Sequence, residues 1–281
     1  MLSYRHGYHA GNHADVLKHW VLVLCLQHLK QKEKPFSYID THAGAGCYAL
    51  DSIYANKTAE YQDGIVKLWQ QAASLPPSFK DYVQLIKELN GHGPLKSYPG
   101  SPWLAANLLR LQDNLRLVEM HPSDIELLQN NLGGDKQTKI ISGDGFKEIK
   151  AMLPPASRRG LILIDPSYEQ KQDYQQTVNA LREGLKRFAT GTYVVWYPLI
   201  NSVWAQRFSS QLQALPCDQW IDAQLIIKRP PERHGMFGSG LFVINPPWRL
   251  QEQLAEGLPV LAKLLAQDES ASFQVQSSTN N

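Results

Sequence analysis

The chain alternates between short, wholly apolar runs and longer stretches in which apolar residues recur every three or four positions. The sharpest run is Leu161-Ile162-Leu163-Ile164, four β-formers that lead into Asp165-Pro166-Ser167-Tyr168 and then the polar Glu169-Gln170-Lys171. Such a run reads as a strand buried on both faces of a parallel sheet. Its carboxyl end, where open α/β sheets hold their ligands, carries Asp165 to Tyr168. The same pattern predicts strands at 36–40, 115–119, 138–142, 192–196, 220–228 and 241–245. The last two are joined by a loop instead of a helix, so they are expected to form an antiparallel hairpin at the sheet edge.

Helical spacing fills most of the intervals. Val16, Leu17, Trp20, Val21, Leu24 and Leu26 form a broad stripe on a helix that starts near His13, with Asn12 as its cap and Asp15 in its first turn. Further helices are expected at 65–69, 82–89, 103–111 and 174–188. For the third of these, Ser101 is the expected N-cap and Pro102 the first helical residue. Seven strands with a final reversal predict an α/β fold of the class I methyltransferase type, Rossmann-like with an antiparallel last strand. The strand ending in Glu119 follows Gly46 by more than 70 residues, whereas a nucleotide-binding βα unit needs about 20. The surplus predicts a small helical insertion at 50–96 within a core formed by 1–49 and 97–267. Residues 268–281 are polar and are expected to be disordered.

Composition narrows this only slightly. Of 281 residues, 43% are hydrophobic, which is ample for a core, and the formal net charge is +2. That balance allows nucleic-acid contact without demanding it. The pairs Arg158-Arg159 and Lys186-Arg187 and the loop from Lys228 to Gly235, with Arg229, Arg233 and His234, offer the best phosphate contacts. Cys25, Cys47 and Cys217 form neither a disulfide framework nor a zinc spacing, which points to a reducing cytoplasm. The apolar stretch from Val21 to Leu26 is too short to span a membrane. The opening arm holds Tyr4, Arg5, His6, His9 and His13, but no cysteine or carboxylate cluster completes a metal site. No metal is expected.

Candidate chemistry gathers at the strand ends. Gly44 and Gly46 follow the first strand and allow close backbone approach to a ligand. Three successive strands end in Glu119, Asp144 and Asp165, spaced as βα units are. A carboxylate in the first position suits ribose hydroxyls, one in the second an adenine amine, with Phe146 beside the ring. Asp165, the Pro166 carbonyl and Tyr168 suit a planar, amino-bearing base: two acceptors and a stacking face. A nicotinamide oxidoreductase is disfavoured by the missing third glycine and by the aromatic after Asp165-Pro166. The rival copy Asn245-Pro246-Pro247-Trp248 ends the last strand at the far edge and reads as a structural turn.

These residues resemble the RlmJ-type 23S ribosomal RNA adenine-N6 methyltransferases. The resemblance runs over nearly the whole chain. It is most specific in the opening arm through Lys18-His19, in Asp40-Thr41-His42-Ala43-Gly44-Ala45-Gly46, in Tyr98-Pro99-Gly100-Ser101-Pro102, and from Arg158 to Pro166. It implies S-adenosylmethionine as cofactor, S-adenosylhomocysteine as product and 23S rRNA as partner; nothing in the sequence argues against a monomer. It implies cofactor contacts at Lys18, His19, His42, Ser101, Glu119, Asp144, Gly145 and Asp165, to which the glycine loop adds Gly44. Substrate and catalytic positions match Tyr4, His6, Lys18, Asp165 and Tyr168, with Lys18 expected on the cofactor carboxylate. The family's Asp-Pro-Pro-Tyr reads Asp165-Pro166-Ser167-Tyr168 here, which relaxes the backbone before Tyr168. A DNA adenine-N6 methyltransferase or a non-catalytic RNA-binding protein of the same fold would share many of these residues.

Overall fold

The computed structural model describes residues 4–232 and 235–278. Helix α1 (His13–Lys30) is followed by strand β1 (Ser37–Asp40), β2 (Cys47–Ala49), α2 (Ile53–Thr58), α3 (Ile65–Gln70), α4 (Lys80–Asn90) and β3 (Ser97–Pro99). Next come α5 (Ser101–Leu108), β4 (Asn114–Glu119), α6 (Pro122–Leu132), β5 (Thr138–Ser142), α7 (Gly145–Met152) and β6 (Gly160–Ile164). The chain continues through α8 (Lys171–Arg187), β7 (Thr192–Ile200), α9 (Val203–Gln213), β8 (Trp220–Ile226), β9 (Met236–Ile244), α10 (Leu250–Leu264) and β10 (Ser272–Ser277).

Eight strands form one sheet in the order β10-β8-β9-β7-β6-β1-β4-β5. The pairs from β7 to β5 are parallel, whereas β9 runs antiparallel to both β7 and β8. The order reverses at β6/β1, so the crevice outside their carboxyl ends is the place for a ligand. Strand periodicity builds two cores. Leu161 and Leu163 of β6 face one apolar cluster with α1, α5 and α10, and Ile162 and Ile164 face the other with α8 and α9.

Three expectations change. The hairpin of β8 and β9 is not at an edge, because a further strand lies outside β8. The segment after 267, expected to be disordered, contains β10, which pairs antiparallel with β8 from Ile221 to Ile226. Helix α1 is also not an amphipathic stripe: from His13 to Leu26 every residue is buried. The reason is the segment 50–96, whose Phe79, Tyr82, Leu85 and Ile86 share the α1 core. Phe79 stacks on Trp20 with ring centroids 4.3 Å apart. Strands β2 and β3 pair antiparallel, Ala49 opposite Ser97, and so bring the two ends of that segment together.

Candidate active site

Asp165 follows β6 directly, its side chain 13% exposed. Helix α1 passes close by and delivers Lys18, whose Nζ donates to Asp165 Oδ2 at 2.6 Å and to Asp15 Oδ1 at 2.8 Å. Asp15 is buried. Its other oxygen accepts from His6 Nε2 and from the Gly11 amide, both at 2.9 Å. His6 Nδ1 in turn accepts from the Tyr4 hydroxyl at 2.9 Å. The arm is thereby wired to the end of β6. Burial opposes the Lys18 ammonium, but Asp15 and Asp165 outweigh it and hold the group above the usual lysine range. Burial likewise opposes the Asp15 carboxylate, and His6, Lys18 and His19 together hold it well below the usual range.

The other half of the site lies over β1, β4 and β5. Gly44 has φ +62°, and a Cβ there would collide with the Tyr48 hydroxyl. Its amide donates to Glu119 Oε2 at 2.7 Å, while Oε1 accepts from the amides of Met120 and His121 at 2.9 and 2.7 Å. Burial still lifts Glu119 above its ordinary value. Asp40 accepts from the Tyr38 and Ser101 hydroxyls, each at 2.7 Å, and burial lifts it to about 6 against those bonds. Burial pulls His42 down to about 4, so the ring is neutral at pH 7, and it meets Phe146 edge-on at 4.8 Å. Asp144 caps α7 by accepting from the Phe146 amide at 3.0 Å. His19 bonds the Tyr98 hydroxyl at 2.7 Å, and Tyr98 bonds Tyr82 of the inserted segment at 2.8 Å.

These two halves wall a cavity of about 310 Å³. Tyr4, His6, Lys18, Asp165 and Pro166 line it from the first half, and His19, His42, Gly44, Ser101, Glu119, Asp144 and Gly145 from the second. Twelve of the thirteen residues singled out in the sequence therefore converge. The exception is Tyr168. It has φ +52°, and its ring is buried against Tyr174, Trp196 and Phe208, with the hydroxyl donating to the Trp196 carbonyl at 2.8 Å. It supports the turn from below and does not present a stacking face to the cavity.

Other assignments shift. Ser101 does not cap: Gly100 holds that position and the Ser101 hydroxyl reaches back to Asp40. Lys18, which lines the cavity, pairs there with the carboxylates of Asp15 and Asp165. Arg159 donates to the Leu29 carbonyl near the end of α1 and to the Lys34 carbonyl beyond it, and Arg187 pairs with Glu183 at 2.7 Å on the surface of α8. Arg233 and His234 lie outside the described residues. Reading the sequence missed Asp15 and Asp40 as members of the site. Asp15 carried one usable signal, a carboxylate three residues before Lys18 on the same helix.

The cavity fits an adenosyl ligand on three counts. Glu119 stands at the end of β4 where a ribose acceptor belongs. Gly145 lines the wall with backbone alone, with no side chain to take up the room. The buried Nδ1 of His121, on the same wall, has no partner in the protein. Among the described residues, no three His, Cys, Asp or Glu side chains group as a metal site needs, and no helix is long and apolar enough to cross a membrane.

Comparison with known proteins gives a consistent picture. Residues 33–277 match the family model described as "Ribosomal RNA large subunit methyltransferase D, RlmJ". The chain is 50% identical over 261 residues to "Ribosomal RNA large subunit methyltransferase J" of Escherichia coli strain K12, covering 93% of each. It is 49% identical over 277 residues to the protein of the same name in Haemophilus influenzae, covering 98% of each. A crystal structure of a Legionella pneumophila protein superimposes with a TM-score of 0.89 at 37% identity, covering 96% of this chain and 98% of that one.

Proposed function

The chain belongs to the RlmJ family of ribosomal RNA large subunit methyltransferases, and we propose that it methylates the N6 amine of one adenine in 23S rRNA from S-adenosylmethionine during ribosome maturation. The observation that carries the adenine reading is the Lys18–Asp165 pair at the mouth of β6, 2.6 Å long and beside the cavity. Bound S-adenosylmethionine supplies an electrophilic methyl group. Glu119, His42 and Asp144 are the residues that hold its adenosyl part, with Gly44 and Gly145 leaving the room.

An adenine amine is a poor nucleophile because its lone pair is delocalised into the ring. Lys18 occupies Asp165 Oδ2, which leaves Oδ1 to accept one N6 hydrogen while the Pro166 carbonyl accepts the other. Two acceptors on fixed positions favour a more tetrahedral nitrogen and aim its lone pair. Positioning and electrostatics, with no base acting beforehand, supply the rate. Asp165 Oδ1 is placed to receive the proton that N6 sheds afterwards. Tyr4 and His6 close over the base from the arm, a role that Tyr168, turned into the core, does not fill. The three free cysteines agree with action in a reducing cytoplasm.

The test is labelled methyl transfer to deproteinised, unmodified 23S rRNA, with duplex DNA in parallel and mapping of the product base. Labelled N6-methyladenine at one rRNA position is expected. Label confined to DNA, or at a position other than an adenine amine, would sink the reading.

A further inference from the structure

Asp15 is 1% exposed and divides its two oxygens between two tasks. Oδ2 fixes the arm through His6 Nε2 and the Gly11 amide, and Oδ1 holds Lys18. Burying a carboxylate is costly unless its partners repay the desolvation. A first-turn acid that only served the helix dipole would do so from the surface. Here the acid sits one side chain away from the carboxylate that meets the substrate. Lys18, itself 5% exposed, is held between Asp15 and Asp165 with its charge shared between them.

We propose that Asp15 is a positioning residue for methyl transfer: it acts through Lys18 to fix the Asp165 carboxylate, and through His6 and Gly11 it joins that carboxylate to the seating of the arm. The inference rests on the methyl-transfer reading above. Without Asp15, Lys18 is anchored from one side only, and Asp165 Oδ2 follows an ammonium that is free to move. Orientation errors well under an ångström at a reacting centre are enough to slow an enzyme.

The experiment is a double-mutant cycle in the rRNA methylation assay, with cofactor affinity and thermal unfolding measured on every variant. Asp15→Asn is expected to lower kcat by about tenfold or more while the cofactor Kd changes by less than about threefold. In Lys18→Met, adding Asp15→Asn is expected to lower kcat by less than about threefold further, because the route through Lys18 is already gone. Losses that multiply in the double variant would overturn the proposal, since they would mean that Asp15 does not act through Lys18. Asp15→Glu keeps the charge but moves it by one methylene, and serves if the Asn variant does not fold. It is expected to lose kcat with cofactor binding retained; wild-type kcat in that variant would also overturn the proposal. Failure of the wild-type protein to methylate any adenine would remove the functional reading and this inference with it, whereas wild-type transfer with multiplicative losses removes this inference alone.

Discussion

Two turns of the same pattern, with proline second and an aromatic fourth, stand at opposite ends of the sheet. Asp165-Pro166-Ser167-Tyr168 follows β6, and Asn245-Pro246-Pro247-Trp248 follows β9. Judged by residue type, the second is the better copy of an Asn-Pro-Pro-aromatic motif. The difference lies in strand direction. Strand β6 runs parallel to its neighbours and delivers Asp165 to the crevice, while β9 runs antiparallel to β7 and delivers Asn245 beside the start of β7. There the Asn245 amide is spent on the Ala189 and Gly191 carbonyls, at 2.7 and 2.8 Å. The aromatics also trade places: Tyr168 is buried in the core and Trp248 is 76% exposed. A motif of this kind acquires chemistry only from the end of the sheet on which it lands.

The largest effect expected from breaking this contrast is at Asp165. Asp165→Ala should lose methyl transfer by about a thousandfold or more while still binding S-adenosylmethionine in calorimetry, because its contribution is to orientation of the base. Acidification comes next. His19 and His42 line the Asp165 end and His13 opens the same helix as His19; burial holds His13 and His42 at about 4 and His19 well below its ordinary value. Each stays neutral in the folded chain while the unfolded chain takes up a proton below about 6.5, so their stability is full above that pH and is lost as pH falls toward 4. Asp40, lifted by burial to about 6, works in the opposite sense, its contribution being full at low pH and lost as pH rises through 6. The buried imidazoles lose more on acidification than Asp40 returns, so unfolding free energy from urea titration should fall between pH 7.5 and 5.

At the other turn the effects are smaller and purely structural. Asn245→Ala removes two hydrogen bonds and places a less tolerant residue at φ +51°. It should cost about 1–2 kcal/mol in urea titration at every pH, with kcat unchanged. Trp248→Ala should change stability by less than about 0.5 kcal/mol and leave activity alone, since Trp248 meets mainly solvent and the Arg249 guanidinium. A loss of turnover in either variant would undo the contrast.

What could be read from the sequence follows from the range of the forces involved. Strands β4, β5 and β6 were legible to within a residue because an apolar run ending in an acid is a local pattern. So was the convergence of Glu119, Asp144 and Asp165, since parallel strands in one sheet end on the same side. Ser101 was misread because its neighbours make it a good cap, whereas its actual partner, Asp40, is brought close only by tertiary packing. Tyr168 was misplaced because its positive φ turns the ring inward, and no local preference announces that. The two carboxylates that enclose Lys18 were not legible either, because Asp165 lies 147 residues away and is brought to it only by packing. Strands β2 and β3, three residues each, are too short for any period to show.

The final strand was also overlooked, although Phe273 and Val275 alternate with polar residues as an edge strand should. By covering β8 it takes the outermost place in the sheet with six residues, four of its side chains exposed and rich in Gln and Ser. A polar, short border of this sort discourages other chains from adding to the sheet. Ending the chain at residue 267 would uncover β8, whose Ile221, Ala223 and Leu225 are buried in the apolar core. The expected result is a protein that clumps when concentrated, visible by light scattering, well before its cavity is disturbed.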